Sequence, residues 1–262
     1  MSRMENQTDV VQLASVSKIF GSNEHKTIAV QDISLEASSG ELVMLLGPSG
    51  SGKTTLLTLI AGLVEPTSGT VSLFGRDIED YTSKELQKLR AVRIGFVFQT
   101  FHLIDSLTVI ENVALVARFG GKTKTEAKRQ ALRLLEQFHI EHLVKKFPAN
   151  LSQGEKQRVA VARAIANGAE LIIADEPTAS LETKQGFDII RLLHEYAKEE
   201  NRCVIVASHD LRIVEFADRV LRLEDGVITQ TQLRAINQLS NEPTNESICG
   251  IPLTSENNNT II

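Results

Sequence analysis

Five short stretches hold residues whose types and spacing suit phosphate chemistry: "GPSGSGKTT" (47–55), Gln99, "LSQGE" (151–155), "LIIADEP" (171–177) and "SHD" (208–210). In the first, Gly47, Gly52, Lys53 and Thr54 fit G-x-x-x-x-G-K-[ST], with the apolar run "VMLL" before it and a segment of helical period after it. Glycines there let backbone N–H groups turn inward on phosphates, the lysine adds a point charge, and the Thr54 hydroxyl can ligate Mg²⁺. The expected nucleotide-binding loop is Gly47, Pro48, Ser49, Gly50, Ser51, Gly52, Lys53, Thr54 and Thr55.

The other stretches are less specific taken singly. Asp175 and Glu176 follow four apolar residues, at a strand end where open α/β sheets bind ligands. Alone the pair reads equally as a helix cap. Beside a phosphate loop, Asp175 reads as the Mg²⁺ partner, and Glu176 as the group that orients or deprotonates the attacking water. His209 follows "CVIVAS", where an imidazole reaches a γ-phosphate or simply closes a turn. Gln99 ends "IGFVF" and offers a neutral oxygen to Mg²⁺, or is a polar strand terminus. In "LSQGE", Ser152 caps a helix and Gly154 opens its backbone to a ligand, which makes a second anion-seeking helix start in one chain.

These residues need a scaffold, and the pattern between them describes one. The runs "ELVMLL", "TVSLF", "IGFVF", "LIIA" and "CVIVA" alternate with segments of helical period. That is the pattern of an α/β protein around a mostly parallel, buried sheet. From about 99 to 168 nearly everything has helical character, so an inserted helical lobe is expected. "VVQLASV" and "IAVQDISLEA" predict a small antiparallel sheet beside the main one. From Thr229 onward the chain turns polar, and 229–262 reads as a mobile tail.

Composition sets the limits. The 262 residues are 42% hydrophobic, enough for a real core, and the formal net charge of −5 argues against a nucleic-acid-coating surface. Two cysteines, Cys203 and Cys249, cannot build a disulfide framework, which suits a reducing compartment. No secretory leader or apolar stretch of the roughly 20 residues that cross a bilayer is evident. Work at a membrane therefore requires another chain.

Taken in order, the five motifs resemble the nucleotide-binding subunits of ATP-binding cassette (ABC) transporters over residues 11–228. The resemblance implies an ATPase domain over about 10–228, ATP and Mg²⁺ as ligands, and head-to-tail pairing of two copies. In such pairs the phosphate loop of one subunit and the "LSQGE" helix of the other close on one ATP, with Ser152 and Gly154 facing the γ-phosphate. "QTFHLIDSLTVIENV" and "GKTTLLTLIAGLVEPTSG" are most similar to the ATPases of lipoprotein-release and macrolide-export systems. This implies export or extraction through a separate permease, at the cytoplasmic face of the membrane, with contact near Phe101, Leu103, Ile104 and Leu107. Those apolar residues otherwise pack the lobe. Phe20 stands where the family usually stacks an aromatic on adenine, or else is a core residue.

The chain departs from the family pattern at Gln153 and Glu155, where Gly and Gln are usual, and at Glu182, where Asp is usual. Chromosome-maintenance relatives carry a long coiled-coil insertion and ribosome-acting ones two cassettes, and neither feature is present. An ATP-dependent regulatory subunit of a permease-like complex, as in cell division, is the remaining alternative.

Overall fold

The computed structural model describes residues 9–21 and 26–233. In chain order the strands are β1 (Asp9–Phe20), β2 (Thr27–Ser38), β3 (Leu42–Leu46), β4 (Ser68–Leu73), β5 (Arg76–Asp77), β6 (Ile94–Val97), β7 (Leu171–Asp175), β8 (Cys203–Ser208), β9 (Arg219–Glu224) and β10 (Val227–Leu233). The α-helices are α1 (Lys53–Ile60), α2 (Ser83–Arg93), α3 (Val109–Phe119), α4 (Lys124–Gln137), α5 (Gln153–Ile165) and α6 (Thr183–Glu199).

Two sheets result. A six-stranded sheet has the order β10-β9-β3-β8-β7-β6, parallel except for the β9–β10 pair, and a four-stranded antiparallel sheet has the order β2-β1-β4-β5. The central strands β3 and β8 are buried throughout, as expected for strands covered on both faces. Successive side chains alternate between two cores. Leu42, Met44 and Leu46 of β3 join Ile172, Val204 and Val206 in a core shared with α3, α4, α5 and α6. Val43 and Leu45 join Ile173, Ile205 and Ala207 in the other, with α1 and the antiparallel sheet. The helical lobe and the small sheet thus cover opposite faces of the main sheet.

Two sequence expectations need correction. "TVSLF" was expected in the parallel sheet, but β4 pairs antiparallel with β1, because a β-branched run carries no mark of the sheet it joins. Residues 229–233, expected as the start of the tail, instead pair with β9 across a turn in which Asp225 and Gly226 both have positive φ. The rest of the expected tail, 234–262 with Cys249, lies outside the described residues.

Helix starts are closed by a shared device. At α2, α4 and α5 a hydroxyl of Thr82, Thr123 or Ser152 accepts the N–H of Glu85, Glu126 or Glu155, whose carboxylate accepts the N–H of the capping residue in return. At α3 the Glu111 carboxylate accepts the Thr108 N–H at 2.9 Å and its hydroxyl at 2.6 Å. Hydrogen bonds from the capping residue hold all four glutamates below their ordinary value. A lowered folded value means stability present above the unfolded glutamate pKa of about 4.3 and lost as pH falls through the folded value. With these four glutamates changed together to Gln, the denaturant midpoint should fall less steeply between pH 5 and pH 3 than in the parent. An unchanged slope would show that the boxes carry none of the acid sensitivity.

Candidate functional site

The N-terminus of α1 is built differently from the four closed by glutamate. Its N-cap is Gly52 at φ 101°, with no side-chain cap and no acidic residue in the first turn. Unsatisfied N–H groups and the positive end of the helix dipole therefore face outward, the arrangement that binds phosphate. Only glycine fits there. A Cβ on Gly52 would lie 2.3 Å from the Ala29 carbonyl oxygen, and one on Gly47 would lie 2.1 Å from that of Leu223.

A cleft of about 340 Å³ opens at this helix start. It is lined by Ser49, Gly50, Gly52, Lys53, Thr54 and Thr55, by Gln99, Asp175 and Glu176, and by Thr27, Ile28 and Ala29. Gly47, Pro48 and Ser51 do not line the cleft. The Gly47 N–H reaches the Ser208 carbonyl at 3.2 Å, and the Lys53 Nζ donates to the Gly47 and Pro48 carbonyls at 2.7 and 3.0 Å. Ser51 is buried, its hydroxyl without a partner among the described residues.

Two carboxylates enter from the end of β7. The Thr54 hydroxyl donates to Asp175 Oδ2 at 2.8 Å, while Oδ1 is buried without a partner. Burial raises the Asp175 carboxyl above its ordinary value, the Thr54 hydrogen bond opposes this, and the adjacent Glu176 charge adds to it. Glu176 spans two cations or potential cations: Oε1 lies 3.4 Å from Lys53 Nζ and Oε2 lies 2.9 Å from His209 Nδ1. Its φ of 47° is unusual for a residue with a Cβ, and such a conformation costs on the order of 1–3 kcal/mol. Pro177 disfavours right-handed helical backbone at Glu176, and the Glu176 N–H bonds to the Ala207 carbonyl at 2.9 Å.

His209 stands at a second cleft of about 290 Å³ with Thr178, Leu181 and Asp210, and Glu176 lines both clefts. Phe20 lines neither. It is 44% exposed, which removes the core alternative, and it pairs with Thr27, one of the first cleft's residues. Ser152 and Gly154 also lie outside the first cleft. Ser152 is exposed, Gly154 is buried, and a Cβ on Gly154 would meet Gln185 of α6 at 2.8 Å. One chain does not bring its two anion-seeking helix starts together.

Sequence reasoning overlooked several contributors. Thr27, Ile28 and Ala29 carry no chemical signature and reach the site only because β2 runs past the loop. Glu155 stands out in the sequence only as a departure from the family pattern; it closes the α5 cap, which the S-x-x-E spacing announces. Buried Asn112 pins the loop after Gln99, donating to the carbonyls of Ile104, Leu107 and Thr108 and accepting the Ile104 N–H at 2.8 Å. Arg163 donates to the carbonyls of Phe101 and His102, two consecutive residues at positive φ. Buried Gln157 ties α5 to the Pro177 carbonyl at 2.7 Å.

The fold and cleft define a P-loop nucleoside triphosphatase: a phosphate loop between strand and helix, with acidic residues at the end of β7, the next strand but one in the sheet. The ABC transporter family matches residues 30–179, and the chain belongs to that family. It is the ATP-binding, ATP-hydrolysing subunit of such a transporter. The "Putative hemin import ATP-binding protein HrtA" of Staphylococcus haemolyticus (strain JCSC1435) is 41% identical over 220 residues, 83% of this chain and 98% of that one. Its namesake in Staphylococcus aureus (strain MRSA252) is 42% identical over 214 residues, 82% of this chain and 96% of that one. Among solved structures, the dimeric ATP-binding cassette MJ0796, in a post-hydrolysis state with ADP and Pi, has a TM-score of 0.79 at 38% identity, covering 85% of this chain and 98% of that one. CbiO1 of Clostridium perfringens, part of the transporter complex cbiONQ, has a TM-score of 0.77 at 30% identity, covering 86% and 88%.

The glycine geometry makes a paired prediction. Gly52→Ala meets the Ala29 backbone and should lower stability by about 2 kcal/mol or more and abolish ATP binding. Gly50→Ala, at φ 81° with no protein atom within 4 Å, should lower stability only by the backbone strain of about 1 kcal/mol, whatever its added methyl does to a nucleotide in the cleft it lines. Thermal melts of both variants check the comparison, ATP titration checks the loss of binding at Gly52, and equal losses of stability would contradict the close approach there.

Proposed function

We propose that two copies of this chain pair head to tail on ATP and drive export or extraction of a substrate through a separate membrane permease. The observation that carries the reading is Glu176, which touches Lys53 on one side and His209 on the other at the mouth of an open half-site. Ser49, Gly50 and Thr54 are exposed there, as is Ser152 at the start of α5, so both faces stand ready for a second subunit. Ser152 and Gly154 of one copy then complete the phosphate site of the other.

Within that site the loop N–H groups and Lys53 bind the phosphates, Phe20 stacks on the base, and Glu176 accepts a proton from the attacking water. The 2.9 Å contact between His209 Nδ1 and Glu176 Oε2 orients the imidazole beside that carboxylate. The partnerless Asp175 Oδ1 beside the Thr54 hydroxyl suits Mg²⁺, an ion that takes few protein ligands. Asp175, Thr54 and Gln99 would hold it, and it supplies charge neutralisation on the phosphates.

The permease contact lies near Phe101–Leu107. Ile104 is 42% exposed, Leu103 packs into the lobe core, and Leu107 joins Ile110, Ala114 and Leu115 along an apolar groove of about 370 Å³. Arg118, Lys124 and Lys128 rim that groove together with Glu111, a net positive rim that suits a short helix with acidic flanks. In this reading the permease holds the subunit at the cytoplasmic face of the membrane; no helix among the described residues is long and apolar enough to cross it. Hemin, the cargo in the relatives' name, is the first substrate to test.

Glu176→Gln should reduce turnover by roughly 10²- to 10⁴-fold while ATP still binds. It should also elute as a dimer with ATP and as a monomer without. Wild-type turnover, or a monomer with ATP bound, would overturn the reading. Membrane co-purification identifies the permease, and transport of hemin by the pair tests the cargo.

A further inference from the structure

Arg212 has no part in the chemistry described above, yet it joins the two loops that flank Glu176. The His209 turn is gripped on both sides. Before it, the Ser208 hydroxyl accepts the Asp210 N–H at 3.0 Å. After it, Arg212 chelates the Asp210 carboxylate: Nε donates to Oδ1 at 2.8 Å, Nη2 to Oδ2 at 2.7 Å, and the Arg212 backbone N–H to Oδ1 at 3.0 Å. One arm of the guanidinium remains. Its Nη1 crosses to the hydroxyl of Thr183 at 2.7 Å.

Thr183 is the first residue of α6 and follows the loop 179–182, whose Ala179 and Leu181 line the second cleft opposite His209. The start of α6 lacks the closure seen at α2, α4 and α5. Glu182 is its N-cap and makes no side-chain bond to the helix. The anchor for this helix start therefore comes from across the cleft. Exposed ion pairs contribute little to stability, and Arg212 is 58% exposed. A planar fork held by two bonds to one carboxylate instead fixes direction, which a lysine in its place would not do.

We propose that Arg212 is a positioning residue that orients the His209 turn toward Glu176 and locks it to Thr183, so that displacement of the 179–182 loop is carried to the histidine. This rests on the reading of Glu176 and His209 as catalytic groups. The histidine then has its working orientation only when the neighbouring loop is in place. Arg212 acts through Asp210 and Thr183 and touches no reacting atom.

The test is steady-state ATPase activity of the purified full chain, with a melting temperature for every variant. Arg212→Gln and Thr183→Val should each lower kcat about tenfold with KM for ATP unchanged, the signature of misorientation after binding. The double variant should be no slower than the worse single one, because both remove the same link. Thr183→Ser restores the hydroxyl and should restore kcat. Additive losses, a Thr183→Ser variant as slow as Thr183→Val, or wild-type kcat in both single variants would overturn the proposal. If Arg212→Gln does not fold, the Thr183→Val and Thr183→Ser pair decides alone. Glu176→Gln and His209→Ala, run beside them, test the underlying reading. Where those two lose turnover and the Arg212 and Thr183 variants do not, only the positioning role falls.

Discussion

The site depends on leaving the N-terminus of α1 open at the cleft, with a glycine as its cap. Every α-helix has four backbone N–H groups that its own turns cannot satisfy, and four of the six α-helices among the described residues bring a glutamate back to the residue that caps them. At α1 the chain forgoes this closure. Gly52 holds a left-handed conformation that places the helix start at the cleft, and close packing against Ala29 excludes any side chain there. Polar groups left open in this way are stabilised by an anion, and Lys53, held by the Gly47 and Pro48 carbonyls, adds charge at the same place.

The two-core architecture explains why the chemistry gathers at one edge. Parallel strands β3, β6, β7 and β8 deliver their C-terminal residues to the same side of the sheet, which brings Gly47, Gln99, Asp175, Glu176 and His209 within reach of one another. The lobe on one face and the small sheet on the other hold that edge between them. The small sheet contributes Thr27, Ile28 and Ala29 to the cleft, while the lobe carries α5 and the loop pinned by Asn112 and Arg163. Glu176, held at positive φ between Lys53 and His209, is where the two clefts meet.

Much of this was legible in the sequence, for physical reasons. The phosphate loop is local, so spacing alone exposes it, and the buried parallel strands announce themselves as continuous apolar runs. β4 was assigned to the wrong sheet because its composition matches that of the core strands and only pairing separates them. The β9–β10 hairpin went unread although Asp225-Gly226 between apolar runs is a hairpin signal. The contacts that position the site lie beyond any local pattern: Arg212 meets Thr183 across 29 residues, and Arg163 meets Phe101 across 62. Such bonds follow from the packing of helices and turns, and no periodicity encodes them.

Ser152 and Gly154 lie outside the cleft of their own chain, so the central claim is that a working site takes its phosphate loop from one subunit and its α5 start from another. Mixing subunits tests this most directly. Lys53→Ala disables the loop and Gly154→Asp disables the helix start, and neither variant alone should turn over ATP. In mixed dimers one site regains both intact halves, so activity should appear on mixing. A mixture that stays as inactive as its separate components, with mixed dimers demonstrably formed, would contradict the account.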